Sequence, residues 1–389
     1  MKRRIAVVTT SRADYGHLYW PLVELSRRDD VELGVIVLGA HLSAEFGMTV
    51  RQIEKDGFPI IARIECLLSS DSDVGMAKTI GLATLSLADM LDGWRPDILL
   101  LIADRYELLA PASVALALRI PIAHIEGGEV SQGAIDDAVR NALTKLAHIH
   151  FTSTPLARQR VIAMGEEPWR VHHAGAPSLD HLRRSRLYTR EQLEQRLSLD
   201  LSQSTLLIAY HPVTLHRDTT DEATALFSAL SLLPDQMVFV YPNSDAGSRS
   251  LIERTQKFAS EVDNIKVFVN LDTVTYWSLL GNVDMLVGNS SSGIMESASY
   301  ALPTVNIGMR QQGRERARNI LDAEASQESI LAAIHQAKTE SFRSGLNNMT
   351  NPYGSGYAAE KIAGILATVP LELLLVKQPA PLIRKIEAL

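Results

Sequence analysis

The sequence predicts an α/β protein of two doubly wound domains that face each other across a central cleft. Three observations carry this expectation. The chain has 389 residues, more than one ordinary hydrophobic core serves, so two domains are expected. Short, near-continuous apolar runs alternate with longer amphipathic segments, as buried parallel strands alternate with the helices that cover them. Polar residues collect just after those runs, and in an open parallel sheet the carboxyl ends of the strands form the ligand crevice.

Composition narrows the class. Hydrophobic residues make up 46% and charged residues 21% of the chain, as in a folded globular protein. The net charge of −7 gives no basic footprint, so nucleic acid is not an expected partner. Cys66 is the single cysteine, which excludes an intrachain disulfide framework and a cysteine-rich metal site. Met1-Lys2-Arg3-Arg4 is basic, but the apolar run behind it ends at Thr9-Thr10 and reads as a first strand, not a signal peptide. No run reaches the roughly 18 apolar residues of a membrane span. A cytoplasmic protein without a membrane partner is expected.

Residues 5–8, 31–38, 60–64, 98–102 and 120–124 read as the strands of a first domain, 1–183, with a long amphipathic helix over 76–91. After them come Arg12 and Asp14, His41, Asp104 and Arg105, and Glu126 and Glu129. Asp136 opens a further helix, where a carboxylate is favoured whatever its role. His148 and His150 share one strand face, and ordinary polar partners are the preferred reading because no ligand set completes a metal site. A charged stretch near 181–186 marks the boundary to a second domain, 184–368. Its strands are expected at 206–209, 238–240, 265–269, 285–287 and 304–307. The tail, 369–389, is expected as a helix that packs back on the first domain.

The stretch Gly288-Asn289-Ser290-Ser291-Ser292-Gly293 follows an apolar strand and precedes Ile294-Met295-Glu296. A helix start there would present unpaired N–H groups to a phosphate, with Gly288 and Gly293 allowing close approach and Glu296 accepting from a ribose. A serine-capped helix start that binds nothing has equal standing on this stretch alone. His211 sits before Pro212 and is held extended, fit for a general acid or a phosphate donor. Arg12 and Arg310 suit phosphate oxygens. Asp104, Glu126, Glu129 and Asp136 are candidate acid/base groups, because carboxylates sharing a cleft push their pKa values apart. Each alone also reads as an ion-pair or capping residue. The P-loop and the Gly-x-Gly-x-x-Gly fingerprint are absent from the expected places, so no nucleotide triphosphate hydrolysis and no nicotinamide or flavin cofactor is expected.

Taken together, eight motifs occur in a familiar order: Ser11-Arg12-Ala13-Asp14-Tyr15-Gly16, Asp104-Arg105-Tyr106-Glu107, His124-Ile125-Glu126-Gly127-Gly128-Glu129, Ile135-Asp136-Asp137, His211-Pro212-Val213-Thr214, Pro242-Asn243-Ser244-Asp245-Ala246-Gly247-Ser248, the Gly288–Gly293 stretch, and Asn306-Ile307-Gly308-Met309-Arg310-Gln311-Gln312-Gly313-Arg314. With them the chain resembles the UDP-N-acetylglucosamine 2-epimerases, in particular the hydrolysing branch that feeds sialic-acid-type sugar synthesis. The resemblance covers nearly the whole chain. It implies two Rossmann-like domains in the GT-B arrangement, a UDP-sugar substrate, no cofactor and no metal. A homodimer is expected because it is common among relatives.

The resemblance also implies the reaction: loss of the proton on carbon 2 while UDP leaves carbon 1, a glycal intermediate, then addition of water. UDP and a free 2-epimerised sugar such as N-acetylmannosamine result. By motif, Asp104, Glu126 and Asp136 are the implied acid/base carboxylates. His211 assists the leaving diphosphate. Arg12, Asn243, Ser290, Ser291, Gly293, Glu296 and Arg310 hold UDP, with His41 and Arg105 beside the substrate. Two other substrate readings stay open, a UDP-2,4-diacetamido-trideoxy sugar of legionaminic acid synthesis and a non-hydrolysing reaction that keeps UDP on the product. A GT-B glycosyltransferase would not need the carboxylates, and a purely binding protein would avoid them near a dianion. The chain departs from the family at Ala103, where relatives often carry glycine.

Overall fold

The structure, a computed structural model, describes residues 2–68, 72–132, 134–213, 222–241, 247–269 and 271–378. Seven strands form the first sheet: β1 (Arg3–Thr9), β2 (Val31–Leu38), β3 (Ile60–Ile64), β4 (Ile98–Ile102), β5 (Ile122–Ile125), β6 (Ile149–Thr152) and β7 (Val171–His173). Their order is β3-β2-β1-β4-β5-β6-β7. Six more form the second: β8 (Thr205–Ala209), β9 (Gln236–Val240), β10 (Ile265–Phe268), β11 (Met285–Gly288), β12 (Thr304–Ile307) and β13 (Ile320–Ala323). These run β10-β9-β8-β11-β12-β13, and the pairings in both sheets are parallel.

Alternation along the strands explains the double winding. Ile5, Val7, Val35 and Val37 face one side of the first sheet with Leu18 and Leu22. Ala6, Val8, Ile36 and Leu38 face the other with Leu87 and Leu91. Both sides are buried, so the strands carry no polar face and read as unbroken apolar runs. The edge strands β7 and β13 were not expected from the sequence. They are short and half-buried, reading Val-His-His and Ile-Leu-Asp-Ala, without the run that marks a central strand.

Chain order reverses between β1 and β4 and again between β8 and β11, and the loops at such switch points flank the crevice. In the first sheet they are the start of helix Arg12–Ser26 and the Ala103-Asp104 turn. In the second they are Tyr210-His211 and Asn289-Ser290.

Helix Asp73–Trp94 is longer than expected, and it is long and apolar enough by composition to cross a membrane. Its buried residues, Thr79, Ala83, Leu87 and Leu91, recur every four positions and pack on the first sheet, as an amphipathic covering helix requires. The return to the first sheet begins before residue 369. Helix Ala358–Thr368 places Ile362 and Leu366 in the first sheet's core. Asp180 caps it, accepting from the N–H groups of Ala358 at 3.0 Å and Ala359 at 2.8 Å. Beyond it Leu371–Leu373 forms a single 3-10 turn where a helix was expected. The buried Arg170 donates to the carbonyls of Leu373, Leu374 and Val376 and fixes this segment to the first sheet.

Candidate active site

Between the two sheets lies a cleft of two joined compartments, both partly open to solvent. They share Ala13, His17, Ser291 and Arg310. Arg12, His211, Ser290, Ser291, Glu296 and Arg310 line the larger. Asp104, Arg105, Glu126, Asp136, Ser291 and Arg310 line the smaller. Residues nearly three hundred positions apart therefore meet in one space, as the strand-end argument predicts.

In and beside the smaller compartment most acids have a basic partner, and Asp14 is instead held by the Thr10 hydroxyl and N–H. The buried Arg140 holds Asp104 and donates to the Ser131 hydroxyl at 3.4 Å. Arg105 donates to the fully buried Glu107 at 2.9 Å. Arg310 reaches from the second sheet to Asp136 at 3.3 Å. Glu126 ends β5 with a left-handed backbone, φ +66°, and Ala103 at the end of β4 has φ +61°. Side chains rarely adopt this conformation, which accounts for the glycine expected at 103. The carbonyl of Ala103 lies 2.8 Å from Nε2 of the buried His124, so the ring braces the turn that aims Asp104.

His17, which the sequence reading passed over, sits where the compartments join. Its Nδ1 lies 2.7 Å from Oε1 of Glu126, and its Nε2 lies 3.7 Å from Oε1 of Glu296. Burial acts to lower the His17 pKa, but Glu126, Glu296 and Asp14 outweigh it and push it up to about 9. Burial likewise acts to raise Glu126, and His17 with Arg314 overcomes it, holding this carboxyl below the usual range. Glu296 remains raised, because burial exceeds the pull of His17 and of the Ser178 hydroxyl, which donates to it at 2.6 Å. A helical spacing signal existed: His17 lies one turn beyond Ala13 and Asp14, on the helix that opens at the strand end.

The nucleotide-side loops are locked by Asn289. Its side-chain oxygen accepts from the His211 N–H at 2.7 Å, and its amide donates to the His211 carbonyl at 2.9 Å. Its own carbonyl accepts from Arg310 at 3.1 Å and Gln311 at 2.9 Å. His211 and Arg310 are thus fixed to one residue. Arg12 approaches the Val269 carbonyl at 3.5 Å across the cleft.

Five expectations need correction or fall elsewhere. His41 does not line the cleft. It is fully buried, with its ring nitrogens 2.8 Å from the Thr9 hydroxyl and 2.6 Å from that of Thr49, and burial pulls its pKa down to about 3. Gly293 does not line it either: a Cβ there would lie 3.0 Å from the Thr304 methyl and 3.1 Å from Leu286, so its smallness serves packing. At Gly288, φ is +146° and a Cβ would come within 2.0 Å of the Ala209 carbonyl, so that glycine serves strand contact and not anion approach. Helix Ser292–Met295 is one turn long before a 3-10 turn, Ser297–Tyr300, so little dipole develops and the serine hydroxyls are the donors on offer. Asn243 lies outside the described residues.

Glu129 faces away from both compartments. It is buried, with Oε2 accepting from the Tyr353 hydroxyl at 3.4 Å and Oε1 without a partner, and burial pushes its pKa up to about 7. His148 and His150 take ordinary partners, the Ile122 N–H at 3.0 Å and Glu166 at 3.2 Å.

Comparison with known proteins adds three findings. Residues 23–367 match the family model described as UDP-N-acetylglucosamine 2-epimerase. Among curated proteins, the chain is 36% identical over 372 residues to the UDP-N,N'-diacetylbacillosamine 2-epimerase (hydrolyzing) of Legionella pneumophila, covering 95% of this chain and 97% of that one. It is 32% identical over 339 residues to a UDP-N-acetylglucosamine 2-epimerase of Neisseria meningitidis, covering 86% and 87%. Among solved structures, S. aureus MnaA with UDP superposes at a TM-score of 0.77 and 17% identity, covering 98% of this chain and 99% of that one. The two parallel-sheet domains have the GT-B fold.

Proposed function

The chain belongs to the UDP-N-acetylglucosamine 2-epimerase family, and we propose that it is a hydrolysing 2-epimerase of UDP-linked 2-acetamido sugars. One observation carries this reading: Asp104, Glu126 and Asp136 share a compartment with Ser291 and Arg310 of the other sheet.

The chemistry follows from what those groups supply. A carboxylate takes the weakly acidic proton on carbon 2 while the bond from carbon 1 to the diphosphate oxygen breaks, its electron pair leaving with UDP. The C–H pair becomes the double bond of a glycal. Water then adds its hydroxyl at carbon 1, and carbon 2 receives a proton on the opposite face. Asp104, Glu126 and Asp136 divide these proton transfers. Arg12, Arg310, His211, Ser290 and Ser291 stabilise the departing diphosphate, and Asn243 is assigned to the same role by its sequence motif alone. Glu296 holds the ribose, and Arg105 stands beside the sugar.

Within this reaction, UDP-N,N'-diacetylbacillosamine is the preferred substrate, on the strength of the Legionella pneumophila relative, giving a free diacetamido sugar for legionaminic-acid-type synthesis. The Neisseria meningitidis relative supports a second reading, UDP-N-acetylglucosamine converted to N-acetylmannosamine for sialic-acid-type synthesis. Parallel assays of UDP release with the two sugar nucleotides decide between them: the higher kcat/KM is expected with the diacetamido sugar. Failure of both to release UDP would contradict the function itself. A cytoplasmic homodimer completes the proposal. Its supporting feature is the exposed apolar face formed by Val74, Leu82 and Leu85 of helix Asp73–Trp94, with Leu116 on the adjoining helix, and light scattering tests it.

A further inference from the structure

His17 touches acids from both halves of the molecule. It projects from helix Arg12–Ser26 with its side chain 22% exposed, 2.7 Å from Glu126 at the end of β5 and 3.7 Å from Glu296 after β11. The charged and titratable groups that act on it are Asp14 on its own helix, Glu126, Glu296 and the neighbouring His181. His181 is buried, its Nε2 2.9 Å from the Gly16 carbonyl and its pKa pulled down to about 4 by burial, so it stays neutral beside a charged His17. Three acids against one cation leave His17 as the imidazolium across neutral pH.

We propose that His17 is a positioning residue that clasps the two halves together and couples nucleotide occupancy at Glu296 to the charge and aim of Glu126. This rests on the functional reading above, in which Glu126 moves protons and Glu296 receives the ribose. Glu126 is poorly placed to keep its charge unaided. It is buried and sits on a left-handed backbone, φ +66°, that fixes its direction. His17 supplies the hydrogen bond to its carboxylate. Glu296 competes for the same ring with its Oε1, the oxygen that also accepts from Ser178. Ribose hydroxyls donating to Glu296 satisfy that carboxylate, weaken its pull on Nε2, and concentrate the imidazolium on Glu126. By linkage, the factor by which bound UDP changes the proton affinity of His17 is the factor by which protonation of His17 changes UDP affinity.

Imidazole NMR of the full-length protein reads this without turnover. In the wild type, the His17 resonance is expected to stay in its protonated position through pH 8, and to titrate at least about one unit lower in Glu126→Gln. Saturating UDP should shift the wild-type His17 resonance, and Glu296→Gln at saturating UDP should remove most of that shift. In the activity assay, His17→Gln should lower kcat about 100-fold, with UDP affinity changed only a few-fold, and should move the acid limb of the kcat profile to higher pH. His17→Lys, which keeps a cation, should bring that limb back. A His17 that is neutral at pH 7, or a His17→Gln protein with the wild-type pH limb, overturns the proposal. If the wild type releases UDP from no sugar nucleotide, the functional reading fails on its own, and the resonance titrations still decide whether the clasp exists.

Discussion

Arg310 stands between two halves of the protein, its guanidinium 3.1 Å from the carbonyl of Asn289 in its own domain and 3.3 Å from the carboxylate of Asp136 in the other. Its Nε has no partner and is buried. A diphosphate entering the cleft offers this cation two better oxygens and frees Asp136 for proton transfer. Arg310→Ala is therefore expected to raise the dissociation constant of UDP about 10- to 100-fold, the range for charge-assisted hydrogen bonds. Arg310→Lys should recover part of the loss. Isothermal titration with UDP checks both, and an unchanged affinity in Arg310→Ala would mean the arginine only ties the domains together.

Asp104 is held by Arg140 and Glu126 by His17, so each can lose its charge without losing its place. Asp104→Asn and Glu126→Gln should keep UDP affinity within a few-fold while kcat falls by about 10²- to 10⁴-fold, the range for loss of a positioned acid/base group. Equal losses of binding and turnover would assign these carboxylates to the architecture instead.

Glu129 gives a pH prediction for stability. Burial raises its carboxyl from 4.5 to about 7 in the folded protein. Between those values the folded state keeps a proton that the unfolded chain has released, so stability falls as pH rises through the interval, and the penalty is complete above pH 7. Glu129→Gln keeps the shape and cannot ionise. Its thermal midpoint should exceed that of the wild type at about pH 8 and lose that advantage near pH 4. An advantage that does not change with pH would show that the carboxyl has the same pKa in the folded and unfolded chain.

Two backbone positions separate strain from fit. Ala103 takes φ +61°, and its methyl is only partly buried against the first core, so Ala103→Gly should be neutral or stabilising by up to about 1 kcal/mol, with activity retained. Gly288→Ala would press a Cβ against the Ala209 carbonyl at 2.0 Å. It should cost more than about 4 kcal/mol or prevent folding, since the clash is with backbone in the middle of a sheet. Denaturant unfolding of the two variants tests the turn and the strand contact separately.

What the sequence made legible follows burial. Central strands such as 31–38 and 98–102 match β2 and β4 to the residue, because a strand covered on both faces is almost wholly apolar, and the edge strand β3 matches 60–64 through its three isoleucines. The edges β7 and β13 carry no such signature. Convergence of Asp104, Glu126 and Asp136 with Ser291 and Arg310 was readable from their places after strands. Partnership was not: nothing in Arg140, Asn289 or His17 as isolated letters says that they fix Asp104, His211 and Glu126. His41 sits after a strand as the substrate residues do, yet its ring turns inward to Thr9 and Thr49. The glycines of the serine stretch show the same ambiguity, since close approach to a neighbouring strand and close approach to an anion ask for the same residue.

The central claim is that acids of the first domain remove the proton on carbon 2 of a sugar whose diphosphate is held by the second. Mass spectrometry and proton NMR of the product formed in deuterated water test it most directly. The account predicts free UDP together with a free 2-epimerised sugar carrying one deuterium at carbon 2. A sugar that keeps its original hydrogen there, or that remains attached to UDP, would contradict it.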